Sequence, residues 1–338
     1  METLWFCLVA LMITAYVVLD GFDLGAGIVY LLVARNDAER KTVLKSIGPF
    51  WDGNEVWLLA AGGTLYFAFP VLYASSFSGF YLPLMMVLWL LILRGLTLEM
   101  RSHVDHDLWK QFADAVFALS SALLAIFFGA ALGNVIRGVP LDAEGYFFLP
   151  LWTNFTPHQD AGILDWYTVP IGVAAFVTLM LHGALWVAYK TEGEVQARAR
   201  TLANRLRWIG LAMTILVLAL SALVQPRAVR GAWLLPLAAV ALIVSGWGAK
   251  HDRTRFLASC GFIAAMLVGA VVGVYPYVLP SNGDPQFGLT IYNAAAAPYG
   301  LSIGLRWFIP GIVLAAGYFF YVYRHFAGKV RSESDGYS

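Results

Sequence analysis

Two pairs of carboxylates stand where an apolar chain rarely tolerates them. Asp20 and Asp23 lie three residues apart in Leu-Asp-Gly-Phe-Asp-Leu-Gly-Ala-Gly (Leu19 to Gly27), inside an apolar run that begins near residue 4. Asp52 and Glu55 lie three apart in Ile-Gly-Pro-Phe-Trp-Asp-Gly-Asn-Glu-Val-Trp (Ile47 to Trp57), where Pro49 and Gly53 break the chain just before the next apolar run. A spacing of three puts both members of a pair on one helical face. An ionised carboxylate at membrane depth costs at least about 2.5 kcal/mol, so it pairs, takes up a proton or faces a wet cavity. Two such groups side by side also repel, and a proton on one relieves both costs. The chemistry on offer is therefore passage of a proton or cation. The structural alternatives are that Asp20 and Asp23 hold a broken helix or a helix junction, and that Asp52 only caps the helix behind it. Gly21, Gly25 and Gly27 keep the first pair small-sided, which lets other helices or water come close.

The remaining candidates are fewer. Arg94 and Glu99 form a further charged set in the third apolar run, and Arg94 is the basic residue placed to neutralise a carboxylate at depth. His103, His106, His158, His251 and His325 fall in connections or at run ends, and only His182 lies well inside, so paired axial haem ligands are not expected on this chain. Cys7 and Cys260 are far apart in apolar runs, which favours packing over a disulfide or zinc site. No phosphate loop, dinucleotide fingerprint, Ser-His-Asp set or metal motif is present in the sequence. Nucleic acid is not among the expected partners.

The elements that position these residues are membrane helices. With 60% apolar and 13% charged residues among 338, the chain reads as an all-α integral membrane protein, residues 1–338 forming a single polytopic domain. About nine runs reach the roughly 20 residues a bilayer requires, near 4–34, 55–73, 77–100, 112–134, 164–189, 207–225, 231–249, 256–279 and 303–325. The first has Glu2 and no basic residue in its leader, and its run is too long for a cleaved signal, so it is expected to stay. Connections after odd-numbered runs, with the C-terminal tail, carry 17 Lys and Arg (Lys250 and Arg331 among them); the other side carries Arg137, Arg227, Arg230 and Arg306. The excess of basic residues on cytoplasmic loops then places the N-terminus outside and the C-terminus and the Asp52 connection in the cytoplasm. The long connections 138–163 and 280–302 face outward and are rich in Pro, Gly and aromatics, suited to a lipid-facing interfacial belt or a binding surface.

Several stretches together resemble subunit II of the cytochrome bd quinol oxidases. They are Leu19 to Gly27, Arg35-Asn36-Asp37 with Glu39-Arg40, Ile47 to Trp57, Phe69-Pro70, Tyr73 and Ser76 to Tyr81. Looser matches follow at Gly133-Asn134, Gly138-Val139-Pro140, Tyr275-Pro276-Tyr277 and Leu279-Pro280-Ser281.

The resemblance implies two four-helix bundles plus one peripheral helix, and a haem-free subunit that scaffolds the haem-bearing subunit I. That partner would hold two b-type haems, haem d and the quinol site. The complex would oxidise quinol on the outer side of the bacterial plasma membrane and reduce dioxygen to water with cytoplasmic protons, without pumping. The resemblance assigns Asp52 to a proton path toward haem d, and matches Asp20 and Asp23 to the family's acidic pair. Glu55, Arg94 and Glu99 are then supporting charges. Small single-span accessory subunits, bound lipids and a structural quinone are compatible with the family. The connection Gln225 to Gly231 lacks the long insertion of some members and resembles the cyanide-insensitive branch, whose defining features lie in subunit I. A proton-coupled secondary transporter is the alternative that the buried carboxylates alone would equally allow.

Overall fold

The computed structural model describes residues 1–158, 160–245 and 251–330. Residues 246–249 of the expected seventh run, Lys250 and Arg331 lie outside the described residues. The first apolar run forms one helix, α1 (Glu2–Val33), whose 32 residues reach about 48 Å at 1.5 Å per residue. Every residue from Asp20 to Tyr30 is buried, so this half of α1 is a central post rather than a lipid-facing helix.

The post can be that crowded because two glycines let backbones touch. A Cβ on Gly25 would sit 2.6 Å from the Gly183 nitrogen and closer still to the Leu179 carbonyl, and one on Gly183 would collide with the Gly25–Ala26 peptide. The partner helix is α7 (Thr168–Lys190), buried along most of its C-terminal half from Leu179 to Lys190.

Around this crossing, α1 packs with α3 (Trp51–Ala68) and α6 (Asp107–Arg137), and α6 carries α5 (Tyr81–Met100). A second group joins α7 to α8 (Gly193–Val224), α10 (Asp252–Val274) and a bent pair made of the 3-10 turn Pro226–Leu234 with α9 (Leu235–Val244). The last helix, α11 (Pro298–His325), lies on the outside against α1 and α3. Short α2 (Asp37–Ile47) and α4 (Pro70–Gly79) complete the helices.

Among the described residues, seven helices are long and apolar enough to cross a membrane, or eight if the bent pair counts as one span. The expectation of about nine differs at the second run. There α3 begins with Trp51, Asp52, Gly53, Asn54 and Glu55, whose polarity lowers the hydropathy of an 18-residue helix, and Pro70 starts the separate α4. In α5 Arg94 and Thr97 are the only fully buried residues; Val87, Leu90, Leu91 and Leu98 pack partly against the core, and Leu88, Trp89, Ile92 and Leu96 look outward.

At the end remote from Asp52, the connections 138–167 and 275–297 form a cap over Trp5 and Val9. It is joined by the Val139 N–H to the Pro280 carbonyl (3.0 Å) and by the short antiparallel pair β1 (Tyr277–Leu279) and β2 (Leu289–Thr290). Arg137 fastens it, donating to the Gly138 and Gly162 carbonyls and the Asn134 amide oxygen and pairing with Asp165. Among the aromatics of residues 138–167, Tyr146, Phe148, Trp152 and Trp166 are exposed, whereas Phe147 and Tyr167 turn inward.

Because the atoms facing Gly183 belong to a peptide bond that cannot rotate away, Gly183→Ala should destabilise the chain by about 1–3 kcal/mol, the usual cost of overpacking. Gly62→Ala on α3, which meets nothing within 4 Å, should leave the thermal midpoint in detergent unchanged or slightly raised by helix propensity. Equal midpoints for both variants would contradict the α1–α7 contact.

Candidate functional site

The approach to the site is an aromatic elbow. After α2 the chain turns through Gly48 to Phe50, closed by the Gly48 N–H to the Leu44 carbonyl and the Phe50 N–H to the Ile47 carbonyl, both 2.8 Å. The Phe50 ring is buried among Tyr323 (4.7 Å between centroids), Trp186 (5.4 Å) and Phe22 (6.4 Å). That anchor fixes where α3 begins and hence which of its first residues face α1.

Asn54 is the one that turns fully inward. Its amide nitrogen donates to Asp23 Oδ2 (2.7 Å) and to the Leu19 carbonyl (3.1 Å), and its amide oxygen accepts from the Tyr323 hydroxyl (3.1 Å). Glu55 is partly buried and points at Arg94, with 3.8 Å between Oε2 and Nη1. Asp52 is exposed on the same turn.

One turn along α1, Asp20 receives Arg94 in a forked contact, Nη2 to Oδ1 at 2.9 Å and Nη1 to Oδ2 at 3.4 Å, and both side chains are fully buried. Burial of an ion pair is tolerable only with such geometry, because the desolvation of each ion has to be offset by the partner. Asp23 has no cation of its own, and its Oδ1 has no hydrogen-bond partner. The Tyr16 hydroxyl, Trp57 Nε1 and Arg94 Nε are buried and unpartnered as well. Buried polar atoms are normally satisfied, and clustered exceptions are where ordered water is expected.

The sequence-derived candidates therefore separate. Asp20, Asp23, Glu55 and Arg94 meet in one cluster, and Asp52 stands at its edge. Glu99, expected as a buried charge beside Arg94, is exposed near the end of α5, and Arg94 points the opposite way into the cluster. Sequence reasoning passed over Asn54, although it stands within the quoted run as an amide in the first turn of an apolar helix. Tyr323 is 269 positions from Asn54, and no local pattern connects them.

A second charged knot lies at the ends of α1, α5 and α6. Buried Asp114 accepts from the Tyr30 hydroxyl (2.5 Å), Arg40 (2.8 Å) and Arg101 (2.5 Å), and Arg101 also reaches Asp37 (2.8 Å). The Arg101 hydrogen bond holds the Asp37 carboxyl below its usual range. This knot fastens α2, and with it the elbow, to the helix ends.

His182 is engaged on both nitrogens, Nδ1 with the Ser259 hydroxyl (2.7 Å) and Nε2 with the Val18 carbonyl (3.0 Å), as a packing histidine would be. Among the described residues no three His, Cys, Asp or Glu side chains form a group that would hold a metal ion.

A family profile described as cytochrome bd terminal oxidase subunit II matches residues 1–326. The chain belongs to that family. It is 31% identical to cytochrome bd ubiquinol oxidase subunit 2 of Bacillus subtilis (strain 168), over 96% of both chains. It is 29% identical to a probable cytochrome oxidase subunit 2 of Haemophilus influenzae, over 97% of this chain and 94% of the other. The fold is also that of a chain in the structure of bd oxidase from Geobacillus thermodenitrificans, with a TM-score of 0.77, 18% identity, and coverage of 96% of this chain and 98% of that one. As a cytochrome bd subunit II, the protein is a multi-pass component of the bacterial inner membrane and part of an oxidoreductase complex with a subunit I partner.

Arg94→Met should strip Asp20 of its only cation and cost about 3–5 kcal/mol, the penalty for breaking one side of a buried pair. Adding Asp20→Asn to the same chain should recover part of that loss. The thermal midpoint of the purified complex measures both, and additive losses would show that the two residues are not coupled.

Proposed function

We propose that this subunit is the haem-free scaffold of a quinol:oxygen oxidoreductase and supplies part of the path by which cytoplasmic protons reach the oxygen-reducing haem of subunit I. The carrying observation is the state of Asp23. It is a fully buried carboxyl with one oxygen unpartnered and the other held by Asn54, on the same helical turn that exposes Asp52 to solvent. A proton taken up at Asp52 has Glu55 and Asn54–Asp23 within the next turn, with unpartnered polar atoms alongside to hold water.

The charges divide the work. Asp20 is compensated by Arg94 and keeps the guanidinium in place. Asp23 lacks such compensation, so it is the carboxyl suited to exchanging its proton, while Glu55 sits between the pair and the exposed edge. In this reading the two b-type haems and haem d sit on subunit I. The family's chemistry, oxidation of quinol coupled to reduction of dioxygen to water, then takes place on the partner, and this chain moves and holds protons.

An apolar groove of about 570 Å³ lies between α1, α3 and α11, lined by Trp5, Met12, Trp57, Thr64, Trp307 and Phe308 among others. Its shape and lining suit an isoprenoid or acyl chain, so a structural quinone or lipid of the complex would lodge there.

In the purified two-subunit complex, Asp23→Asn should slow oxygen consumption on the order of 10²-fold, as loss of a positioned proton carrier does, with the reduced-minus-oxidised haem spectrum unchanged. Asp52→Asn should slow it less, because water reaches the edge of the cluster directly. Wild-type turnover in an assembled Asp23→Asn complex would overturn the proton-path assignment.

A further inference from the structure

The Asn54 amide has a defined orientation, and one of the residues that fix it is on the outermost helix. The side chain of Asn54 is fully buried, with three neighbours: Asp23 Oδ2, the Leu19 carbonyl and the Tyr323 hydroxyl. Two of these are acceptors. The amide NH2 must therefore face Asp23 and Leu19, which leaves the amide oxygen facing the phenol, and the phenol must donate. Turning the amide over would place its oxygen against the Leu19 carbonyl and the Asp23 carboxyl.

An ionised Asp23 excludes that alternative outright, and when Asp23 is protonated the Leu19 carbonyl still opposes it. A protonated Asp23 is itself a donor and would accept the turned amide by giving its O–H to the amide oxygen. The Tyr323 hydroxyl opposes that arrangement together with the Leu19 carbonyl, because its donated hydrogen bond to the amide oxygen is lost when the oxygen moves away. We infer that Tyr323 is a positioning residue for proton transfer: it holds the Asn54 amide with its N–H groups toward Asp23, so that the carboxyl can release its proton without losing its only hydrogen bond. The inference rests on the proton-path reading of Asp23.

The surroundings make Tyr323 a fixed strut. Its ring packs on Phe50 (4.7 Å between centroids), near Phe319 (6.3 Å) and Phe22 (6.5 Å). The chain that follows is held by Lys190, whose ammonium donates to the Phe326 (2.5 Å) and Gly328 (2.7 Å) carbonyls. The Val330 N–H donates to the Lys190 carbonyl (2.7 Å). The phenol is thus anchored on both sides. The ionisable groups around Asp23 are Asp20 on its own helix, Glu55 on α3 and Arg94 on α5, with Cys260 of α10 facing the phenol.

The test compares Tyr323→Phe, Asp23→Asn and the unaltered chain, each in the intact complex with subunit I. Phenylalanine keeps the ring contacts and removes only the donor. Turnover should fall about fivefold, the rate equivalent of one ordinary hydrogen bond, with the haem spectrum unchanged. The infrared carboxyl C=O stretch of Asp23, identified by its absence in Asp23→Asn, should shift in Tyr323→Phe. A purely structural phenol would leave that band in place, so slowed turnover with an unmoved band overturns the inference. Unaltered turnover in Tyr323→Phe alongside a slow Asp23→Asn also overturns it while sparing the proton path. Full turnover in both variants removes the proton path itself. Should Tyr323→Phe fail to assemble, 3-fluorotyrosine at position 323 keeps ring and donor but strengthens the donated bond. It should shift the same band, and an unmoved band there counts against the inference equally.

Discussion

One guanidinium among three carboxylates sets the terms for the centre of this protein. Arg94 makes a forked contact with Asp20 and reaches Glu55 at a longer distance, and it makes no hydrogen bond to Asp23. In a low-dielectric interior a single positive charge cannot keep three negative ones ionised, so the cluster has to hold protons or water to exist. The arrangement of the surrounding helices follows from that need. α5 buries Arg94 and Thr97 fully while Leu88, Ile92 and Leu96 stay exposed, the reverse of the order usual in a water-soluble protein.

A charged cluster at this depth needs walls that do not shift. The Gly25–Gly183 crossing supplies one, because backbone in contact with backbone has no rotamers through which to relax. The aromatic elbow at Phe50 supplies another. At the two ends of the helices, separate ion-pair systems do the fastening: Asp114 with Arg40 and Arg101 on the side of α2, and Arg137 with Asp165 under the opposite cap. Both use arginine, whose planar fork can satisfy a carboxylate and backbone carbonyls together. Lys190 closes the last segment by a different device, donating to two carbonyls while lying about 5.4 Å from the centre of the Phe50 ring.

How much of this was legible depended on the range of the interaction. Acidic residues inside apolar runs are visible one at a time, and the spacings of Asp20 with Asp23 and Asp52 with Glu55 put each pair on a shared face, but that the two pairs meet in one cluster appears only when α3 packs on α1. Arg94 was recognisable as the cation at depth, but its partner was not. Glu99 is the carboxylate within reach in sequence, whereas Asp20 is 74 positions away and becomes a neighbour only when α5 packs beside α1. The same limit hid Tyr323, Asp114 and the glycine crossing. Run-by-run hydropathy starts the second span at residue 55, whereas α3 begins at Trp51, because the polar residues that make its start chemically useful lower the apolarity of that turn.

That last conflict carries a structural consequence. Asp52, Asn54 and Glu55 occupy one turn of one helix yet meet three environments: solvent, a fully buried carboxyl and a guanidinium. A helix turn advances about 5.4 Å and sweeps all directions, so it can link an exposed edge to a buried centre within a few residues, which a β-strand, alternating between two faces, cannot do. The price is that α3 lacks the apolar first turn of an independent membrane helix and has to be held from outside. α1 holds it through Leu19 and Asp23, and α11 through Tyr323 and through Tyr318, which packs 3.6 Å from the position a Cβ on Gly53 would take. The last helix of the chain thus completes a site whose carboxylates all lie within its first 60 residues. A chain ending before α11 would keep every acidic residue of the cluster and lose the hydrogen bond that orients Asn54.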